Sequence, residues 1–306
     1  MLISSIENGI YVMKRVFRYK ITEKDAGKTI ETFLLEHEYT PTCIKALKKA
    51  ANLITVNGVW EFVNKQLKEN DILETVFLDE ESSENVPSVE MPLDIVYEDE
   101  DILVLNKAAN LPIHPTKGYE YTNLANGVVD YYEKQGIPFV FRSVNRIDKN
   151  TTGLVIIAKN MLSGSILGES MRNREIHRTY LAVTEGELPE RGTVDLPIGR
   201  REGSAVERCI DENGAKAVTH FERLHYANGY SLAQIRLETG RTHQIRLHMR
   251  AIGHPLPADV LYNPKFDVIE RHALHSWKLE FPHPITKEPL SFEQEMPEDM
   301  KNIFKK

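Results

Sequence analysis

A polar segment at residues 145–153 contains the side chains of this sequence that are best suited to chemistry. It reads Asn-Arg-Ile-Asp-Lys-Asn-Thr-Thr-Gly and ends at the apolar run of residues 154–158, Leu-Val-Ile-Ile-Ala. A loop of this composition beside a buried strand lets a rigid scaffold present polar groups such as the Asp148 carboxylate. Taken alone, the segment is better explained as a turn, because Asp and Asn bond to nearby backbone and Gly adopts unusual dihedral angles.

Two further segments place polar residues at the start of a regular element. Residues 178–180, Arg-Thr-Tyr, open a strand, where a tyrosine such as Tyr180 is usually a half-buried packing residue. Residues 239–248, Thr-Gly-Arg-Thr-His-Gln-Ile-Arg-Leu-His, follow a strand and open a helix. We expect Thr242 to cap this helix and Gly253 to end it. Its buried face should carry Ile245, His248, Met249 and Ile252.

Arg241 is expected to lie at the mouth of that helix and to reach across to another loop. A buried carboxylate such as Asp148 needs a cation of this kind, because an unpaired buried charge is energetically expensive. The sequence therefore predicts that Arg241 pairs with Asp148.

The histidines do not indicate a metal site. His243 and His248 are five residues apart, which does not bring both side chains to one side of a helix, and no Glu completes a zincin pattern. His272 and His275 are better suited to a turn between strands. The sequence also lacks a Gly-rich phosphate loop and a dinucleotide fingerprint, so we expect neither a metal nor a cofactor.

Around these segments, strands outnumber helices. The pattern predicts strands over residues 101–106, 154–158, 180–184 and 230–237, and helices over residues 123–134 and 161–174. This order predicts the α+β class, with a mixed, mainly antiparallel sheet in the larger domain.

A small α/β domain is predicted in front of the larger one. It should contain helices over residues 29–36 and 42–50, and a strand that runs into the Asn57-Gly58 turn. Lys45, Lys48 and Lys49 would share a helix surface, although such a cluster is more often only a solvated face. We assign residues 13–80 to this domain, residues 81–91 to an acidic, solvated linker and residues 92–306 to the larger domain. Met13 opens a more regular sequence, so residues 1–12 are expected to be an extension.

Bulk properties fit a globular protein. The chain has 306 residues, of which 41% are hydrophobic and 27% charged, and no apolar stretch approaches a membrane span. Its two cysteines suit a reducing cytoplasm, and there is no targeting segment. The net charge of −7 argues mildly against a nucleic-acid partner unless the basic residues are segregated.

Together and in this order, the three polar segments resemble the RluA family of pseudouridine synthases. The family's loop, roughly His-Arg-Leu-Asp, two variable residues and Thr-Ser-Gly, corresponds to residues 145–153, and its Lys-x-Tyr motif corresponds to residues 178–180. Its third motif, Thr-Gly-Arg-Thr-His-Gln-Ile-Arg, is matched without change. Asn145, Thr152 and Ala258 replace the usual His, Ser and Gly. The resemblance spans residues 92–283, and the N-terminal domain resembles, more loosely, the S4-like RNA-binding domain.

The resemblance implies roles for individual residues. Asp148 would be the essential carboxylate, acting either on the anomeric carbon or as a base on the sugar, with Tyr180 and Arg241 as further catalytic residues. Substrate binding is assigned to Arg146, Thr152, Gly153, His243, Arg246 and Leu274. RNA binding is assigned to Lys45, Lys48, Lys49 and Arg178, and further phosphate contacts to Arg142, Lys149, Arg172 and Arg174.

The resemblance implies that the chain isomerises uridines in structured RNA, ribosomal or transfer, to pseudouridine without a cofactor. We expect a monomer with an RNA partner and no membrane partner. Two alternatives stay open: another uridine-directed or glycosidic enzyme on the same scaffold, and an RNA-binding assembly factor that keeps the fold without catalysis. A metal-dependent hydrolase is disfavoured by the ligand spacing.

Overall fold

A computed structural model describes residues 2–7, 10–79 and 82–305, with side chains from residue 13 onward. The strands, in chain order, are β1 (Leu2–Glu7), β2 (Ile10–Lys20), β3 (Ile54–Val56), β4 (Val59–Trp60), β5 (Ile72–Asp79), β6 (Ile95–Glu98), β7 (Ile102–Lys107), β8 (Arg142–Ser143), β9 (Thr152–Ala158), β10 (His177–Glu185), β11 (Arg191–Asp195), β12 (Ile198–Arg200), β13 (Arg208–Ile210), β14 (Val218–Ala227), β15 (Tyr230–Leu237), β16 (Leu274–Pro282) and β17 (Pro289–Glu293). The helices are α1 (Ile30–Glu36), α2 (Pro41–Leu47), α3 (Leu124–Glu133), α4 (Met161–Arg172), α5 (Gln244–Ala251) and α6 (Glu298–Lys301), followed by a 3₁₀ turn (Asn302–Phe304).

The chain forms two compact units. Unit 1 comprises residues 1–104, 114–145 and 156–173, and unit 2 comprises residues 105–113, 146–155 and 174–306. Both units mix helices with mainly antiparallel strands, which confirms the predicted α+β class. No helix among the described residues has the length and apolar character that a membrane crossing requires.

Unit 1 contains a five-stranded sheet in the order β1-β2-β5-β3-β4, in which neighbours run antiparallel. Thr29 caps α1 with its side chain, as its position before an apolar run predicts. The second predicted helix is shorter than expected, because α2 ends at Leu47 and Lys48 forms its C-cap. The Asn57-Gly58 turn is confirmed: both residues have positive φ, as a two-residue turn between β3 and β4 requires.

The division into units does not follow the predicted boundary at residues 81–91, of which Glu81 lies outside the described residues. Arg15 donates to both carboxylate oxygens of buried Asp101 at 2.9 and 2.7 Å, and Ser83 Oγ accepts the Phe141 N–H at 3.0 Å. Ser83 therefore bonds the acidic run to unit 1, although half of its described residues are exposed, and its assignment as a solvated linker stays a prediction. The strand β2 begins at Ile10, before the predicted start at Met13; Met1, Asn8 and Gly9 lie outside the described residues. The assignment of residues 13–80 as a domain stays a prediction.

The main sheet of unit 2 has the order β11-β14-β15-β10-β16, with antiparallel neighbours. β17 pairs with β16, and the start of β9 runs parallel to β16. Along β15 the side chains alternate between buried and half-buried, as the sequence predicts. One face of this sheet packs in a core cluster with α5 that contains Tyr180, Ile235 and Met249. The polar segments therefore start from strands and a helix that share one core.

Candidate active site

The loop that carries Asp148 is fixed by its backbone. The Thr151 N–H donates to the Asp148 carbonyl at 3.0 Å, and the Lys149 carbonyl accepts from Leu111 N at 3.1 Å and from Lys107 Nζ at 2.9 Å. Gly153 ends the loop with φ +106°, and a Cβ there would lie 2.2 Å from the Ser276 carbonyl oxygen. Only glycine fits so close an approach, and this approach sets where β9 starts against β16.

The carboxylate of Asp148 is paired with Arg246. Arg246 Nη1 donates to Asp148 Oδ2 at 2.8 Å, and His243 Nε2 lies 4.0 Å from Oδ1. The Asp148 side chain keeps 25% of its surface exposed, whereas that of Arg246 keeps 4%. Asp148 is therefore held on one side by a buried cation and is open to a ligand on the other.

A second carboxylate, Asp259, holds Arg246 from behind. Arg246 Nε and Nη2 donate to its two oxygens at 2.7 and 2.6 Å, and the Asp259 side chain is only 1% exposed. The Arg246 guanidinium also lies 5.2 Å above the ring of Tyr262, whose hydroxyl bonds His243 Nδ1 at 3.0 Å. A bidentate pair fixes the orientation of a guanidinium, so Asp259 sets the direction from which Arg246 meets Asp148.

This arrangement keeps Asp148 ionised. Burial alone would raise the pKa of the Asp148 carboxyl, but the charges of His243 and Arg246 outweigh burial and hold that pKa below its ordinary value. Burial lowers the pKa of His243. The carboxylates of Asp148 and Asp259, in contrast, raise the pKa of Arg246 above its ordinary value, although Arg246 is buried as well. Arg246 is therefore the cation that stays charged beside Asp148 at neutral pH.

The predicted pair between Arg241 and Asp148 is wrong. Arg241 is exposed, and its Nε donates to the Lys216 carbonyl at 3.0 Å. The predicted Thr242 cap is wrong as well, because the N-cap is His243, in the left-handed conformation and without a side-chain cap bond. Instead, Gln244 Oε1 accepts the Arg241 N–H at 2.9 Å. That bond ties the backbone of Arg241 to the first residue of α5. The arginine that reaches Asp148 is Arg246, which lies within the helix.

Other expectations for this helix are confirmed. Gly253 follows the C-cap of α5 with φ +85°. The N–H of His254 bonds the Met249 carbonyl at 2.9 Å, as a glycine-terminated helix end requires. Ile245, His248 and Met249 are buried as predicted.

Asp148 lies on the wall of an open cleft. Apart from Asp148, the predicted residues that line it are Arg146, Arg178, Tyr180, Arg241, His243, Arg246 and Leu274. The apolar part of the lining comes from Tyr180 and Leu274, both about nine-tenths or more buried, together with Ile147 and Leu237. Burial raises the pKa of the Tyr180 hydroxyl, so the ring is neutral. The cleft thus combines an ionised carboxylate, apolar walls and a cationic rim.

Several predicted site residues lie elsewhere. Thr152 Oγ1 bonds His275 Nδ1 at 2.8 Å, and Gly153 packs on Ser276, so these two shape the loop and do not line the cleft. Lys45, Lys48 and Lys49 are exposed on unit 1, where Lys48 pairs with Glu31 at 3.1 Å. Of the basic residues expected to hold phosphates, Arg142, Arg172 and Arg174 are engaged with Asp79, Glu169 and Glu238, respectively.

Sequence reasoning did not single out Asp259, Tyr262, His272 or Lys107. The sequence held one signal for an unusual backbone next to Asp259. The preceding residue, Ala258, stands where the family that the sequence resembles usually has glycine, and it adopts φ +54°. His272 precedes β16 and His275 lies within it, not in a turn between strands as expected; both are buried, and His272 Nε2 bonds Thr151 Oγ1 at 2.8 Å. Burial lowers the pKa of His272 to about 3, so it supports the loop as a neutral ring.

Comparisons with known proteins point to one family. The family described as RNA pseudouridylate synthase matches residues 101–251. The chain is 37% identical over 278 residues to the uncharacterized RNA pseudouridine synthase YjbO of Bacillus subtilis (strain 168), covering 90% of this chain and 98% of the relative. It is 36% identical over 304 residues to ribosomal large subunit pseudouridine synthase D of Yersinia pestis, covering 93% and 92%. The solved structure of human RNA pseudouridylate synthase domain containing 1 has a TM-score of 0.58 at 25% identity, covering 68% of this chain and 85% of that one.

Proposed function

This chain belongs to the RNA pseudouridylate synthase family and is an enzyme of that class, and on this premise we propose that Asp148 is the carboxylate with which it converts uridine to pseudouridine. The observation that carries the proposal is the Arg246–Asp148 pair at 2.8 Å on the wall of an open cleft. An ionised carboxylate is needed whether Asp148 attacks the anomeric carbon or removes a proton from the sugar.

The reaction breaks the bond between the ribose and the uracil nitrogen, turns the base and rejoins it through carbon. No atom is gained or lost and nothing is oxidised, so no group acceptor is required. The uracil must leave its stack to reach Asp148, which costs a few kcal/mol. Tyr180 and Leu274 line the cleft with apolar surface against which the freed base would pack, and Arg146, which is exposed at the cleft, would occupy the space that the base leaves.

We propose ribosomal RNA of the large subunit as the substrate. Support comes from the relatives named ribosomal large subunit pseudouridine synthase D, which match this chain at 36–38% identity. The cationic rim formed by Arg146, Arg178 and Arg241 explains how a chain with a net charge of −7 binds RNA, because the charge that faces the phosphates is local. With this substrate, we propose that the enzyme acts in the cytoplasm.

The test is Asp148→Asn, which removes the charge and keeps the shape. We expect no pseudouridine in large-subunit RNA, measured by chemical mapping, and unchanged RNA retention on filters. Asp195→Asn is the matched control, since Asp195 is an exposed aspartate of the same unit and lies outside the cleft lining. Substantial product from Asp148→Asn would refute the role of Asp148. A wild-type protein that binds RNA without modifying it would favour the assembly-factor alternative.

A further inference from the structure

An exposed pair of aromatic rings lies on unit 1, well outside the residues that line the cleft. Trp60, at the end of β4, is 42% exposed, and Phe62, two residues later, is 64% exposed. Their ring centroids are 4.4 Å apart at an angle of 61°. Val59 beside them is also 64% exposed. Three of the four residues 59–62 thus expose apolar side chains, and a contiguous exposed apolar patch marks an interaction site.

One lysine of unit 1, Lys48, is linked through Glu31 to the segment that carries this ring pair. The Glu31 N–H donates to the carbonyl of Val63, the residue after Phe62, at 2.9 Å. Glu31 Oε1 in turn accepts from Lys48 Nζ at 3.1 Å. These two bonds link Lys48, the C-cap of α2, to the segment that carries Phe62, and Lys45 and Lys49 are within three residues of Lys48 along the chain.

The local charge favours an anionic partner. Glu31 and Glu61 are paired with Lys48 and Lys65, at 3.1 and 2.7 Å, so these two carboxylates are neutralised. Lys45 and Lys49 are exposed. Proteins bind single-stranded nucleic acid with aromatic rings and neighbouring cationic side chains. The bases stack on the rings, and the phosphates pair with the cations.

We propose that Trp60 and Phe62 form a stacking platform for unpaired bases of the RNA substrate, with Lys45 and Lys49 on the adjacent phosphates. The inference rests on the proposed function, because it takes the substrate to be RNA. It goes further in that it assigns unit 1 a preference for unpaired over duplex RNA, since duplex bases are already stacked on one another. The site is independent of Asp148, so it acts on affinity and leaves the chemical step unchanged.

The first test uses Trp60 as its own reporter. The sequence has two tryptophans, so Trp277→Phe leaves Trp60 as the only one. In an Asp148→Asn background, where no product forms, we expect a single-stranded oligouridylate to quench the Trp60 fluorescence and an RNA duplex of equal length to leave it nearly unchanged. Equal quenching by both, or none by either, would overturn the stacking proposal.

The second test separates stacking from charge. Replacing Trp60 and Phe62 by Ala should weaken oligouridylate binding about 5- to 150-fold per stacked base and leave its salt dependence unchanged. Lys45→Ala and Lys49→Ala should each flatten the log–log salt slope by about 0.7. Phe266→Ala is the control, because Phe266 is 49% exposed on unit 2, and it should not change binding.

The outcomes distinguish this inference from the proposed function. If the aromatic double variant binds oligouridylate as the wild type does, the platform is wrong whether or not the enzyme makes pseudouridine. If sedimentation shows a dimer that the same substitutions dissociate, the rings bind a second copy of the chain and the proposal is overturned. Circular dichroism melting checks folding, and we expect little change because exposed side chains contribute little to stability.

Discussion

Replacing Arg246 by Met tests the carboxylate–guanidinium–carboxylate arrangement most directly. Methionine retains much of the side-chain volume and removes the charge. Asp259, with a side chain 1% exposed, would then lose both hydrogen bonds from Arg246, and Asp148 would lose its cation. Breaking a buried pair in this way costs about 3–5 kcal/mol. At roughly 2–4 °C per kcal/mol for a domain of this size, we expect the Tm to fall by about 6–20 °C.

Arg241→Met is the matched control for this measurement. Arg241 also lines the cleft, but it is exposed and its side chain bonds only a backbone carbonyl among the described residues, so its replacement should change stability by no more than about 0.5 kcal/mol. The double variant Arg246→Met with Asp259→Asn should recover part of the loss, because the buried carboxylate is no longer stranded. Calorimetry of these variants checks the reasoning. An Arg246→Met protein that melts with the wild type, or an equally destabilised Arg241→Met protein, would refute it.

Three further results are expected. The pKa of Asp148 is depressed in the folded protein, so activity should persist as pH falls until the pH passes below the ordinary carboxyl range. In Arg246→Met, burial raises that pKa, so the single-turnover rate should begin to fall at a higher pH than in the wild type. Ala258→Gly should raise the free energy of unfolding by about 1 kcal/mol, measured with urea, because it relieves the left-handed conformation at φ +54°; an unchanged urea midpoint would contradict this. Burial lowers the pKa of Lys107 to about 7, so the folded chain binds fewer protons than the unfolded chain above that pH. Stability should therefore rise with pH from 7 toward 10 by up to about 1.4 kcal/mol per unit, and Lys107→Met should lack this rise if the reasoning is right.

Local sequence patterns predicted several strands and helices and the order of the polar segments. Alternating residues predicted β15, the apolar run predicted β9, and Gly253 marked the end of α5. These signals are local, because they depend on the alternation of apolar and polar residues or on a single capping residue. They can therefore be recognised without knowing the tertiary contacts. The three motifs likewise identified the family before any contact was known.

Tertiary structure alone decided which side chains meet. Arg241 and Arg246 both belong to the segment that the sequence singled out, and helical periodicity could not choose between them as the partner of Asp148. The choice depends on the left-handed residue His243 and on Gln244, which turn the loop before α5. It depends also on Asp259, which follows Ala258 in a left-handed turn distant in sequence from Asp148. Ion pairs are set by the directions of loops that meet only after folding, so their partners cannot be obtained from spacing along the chain.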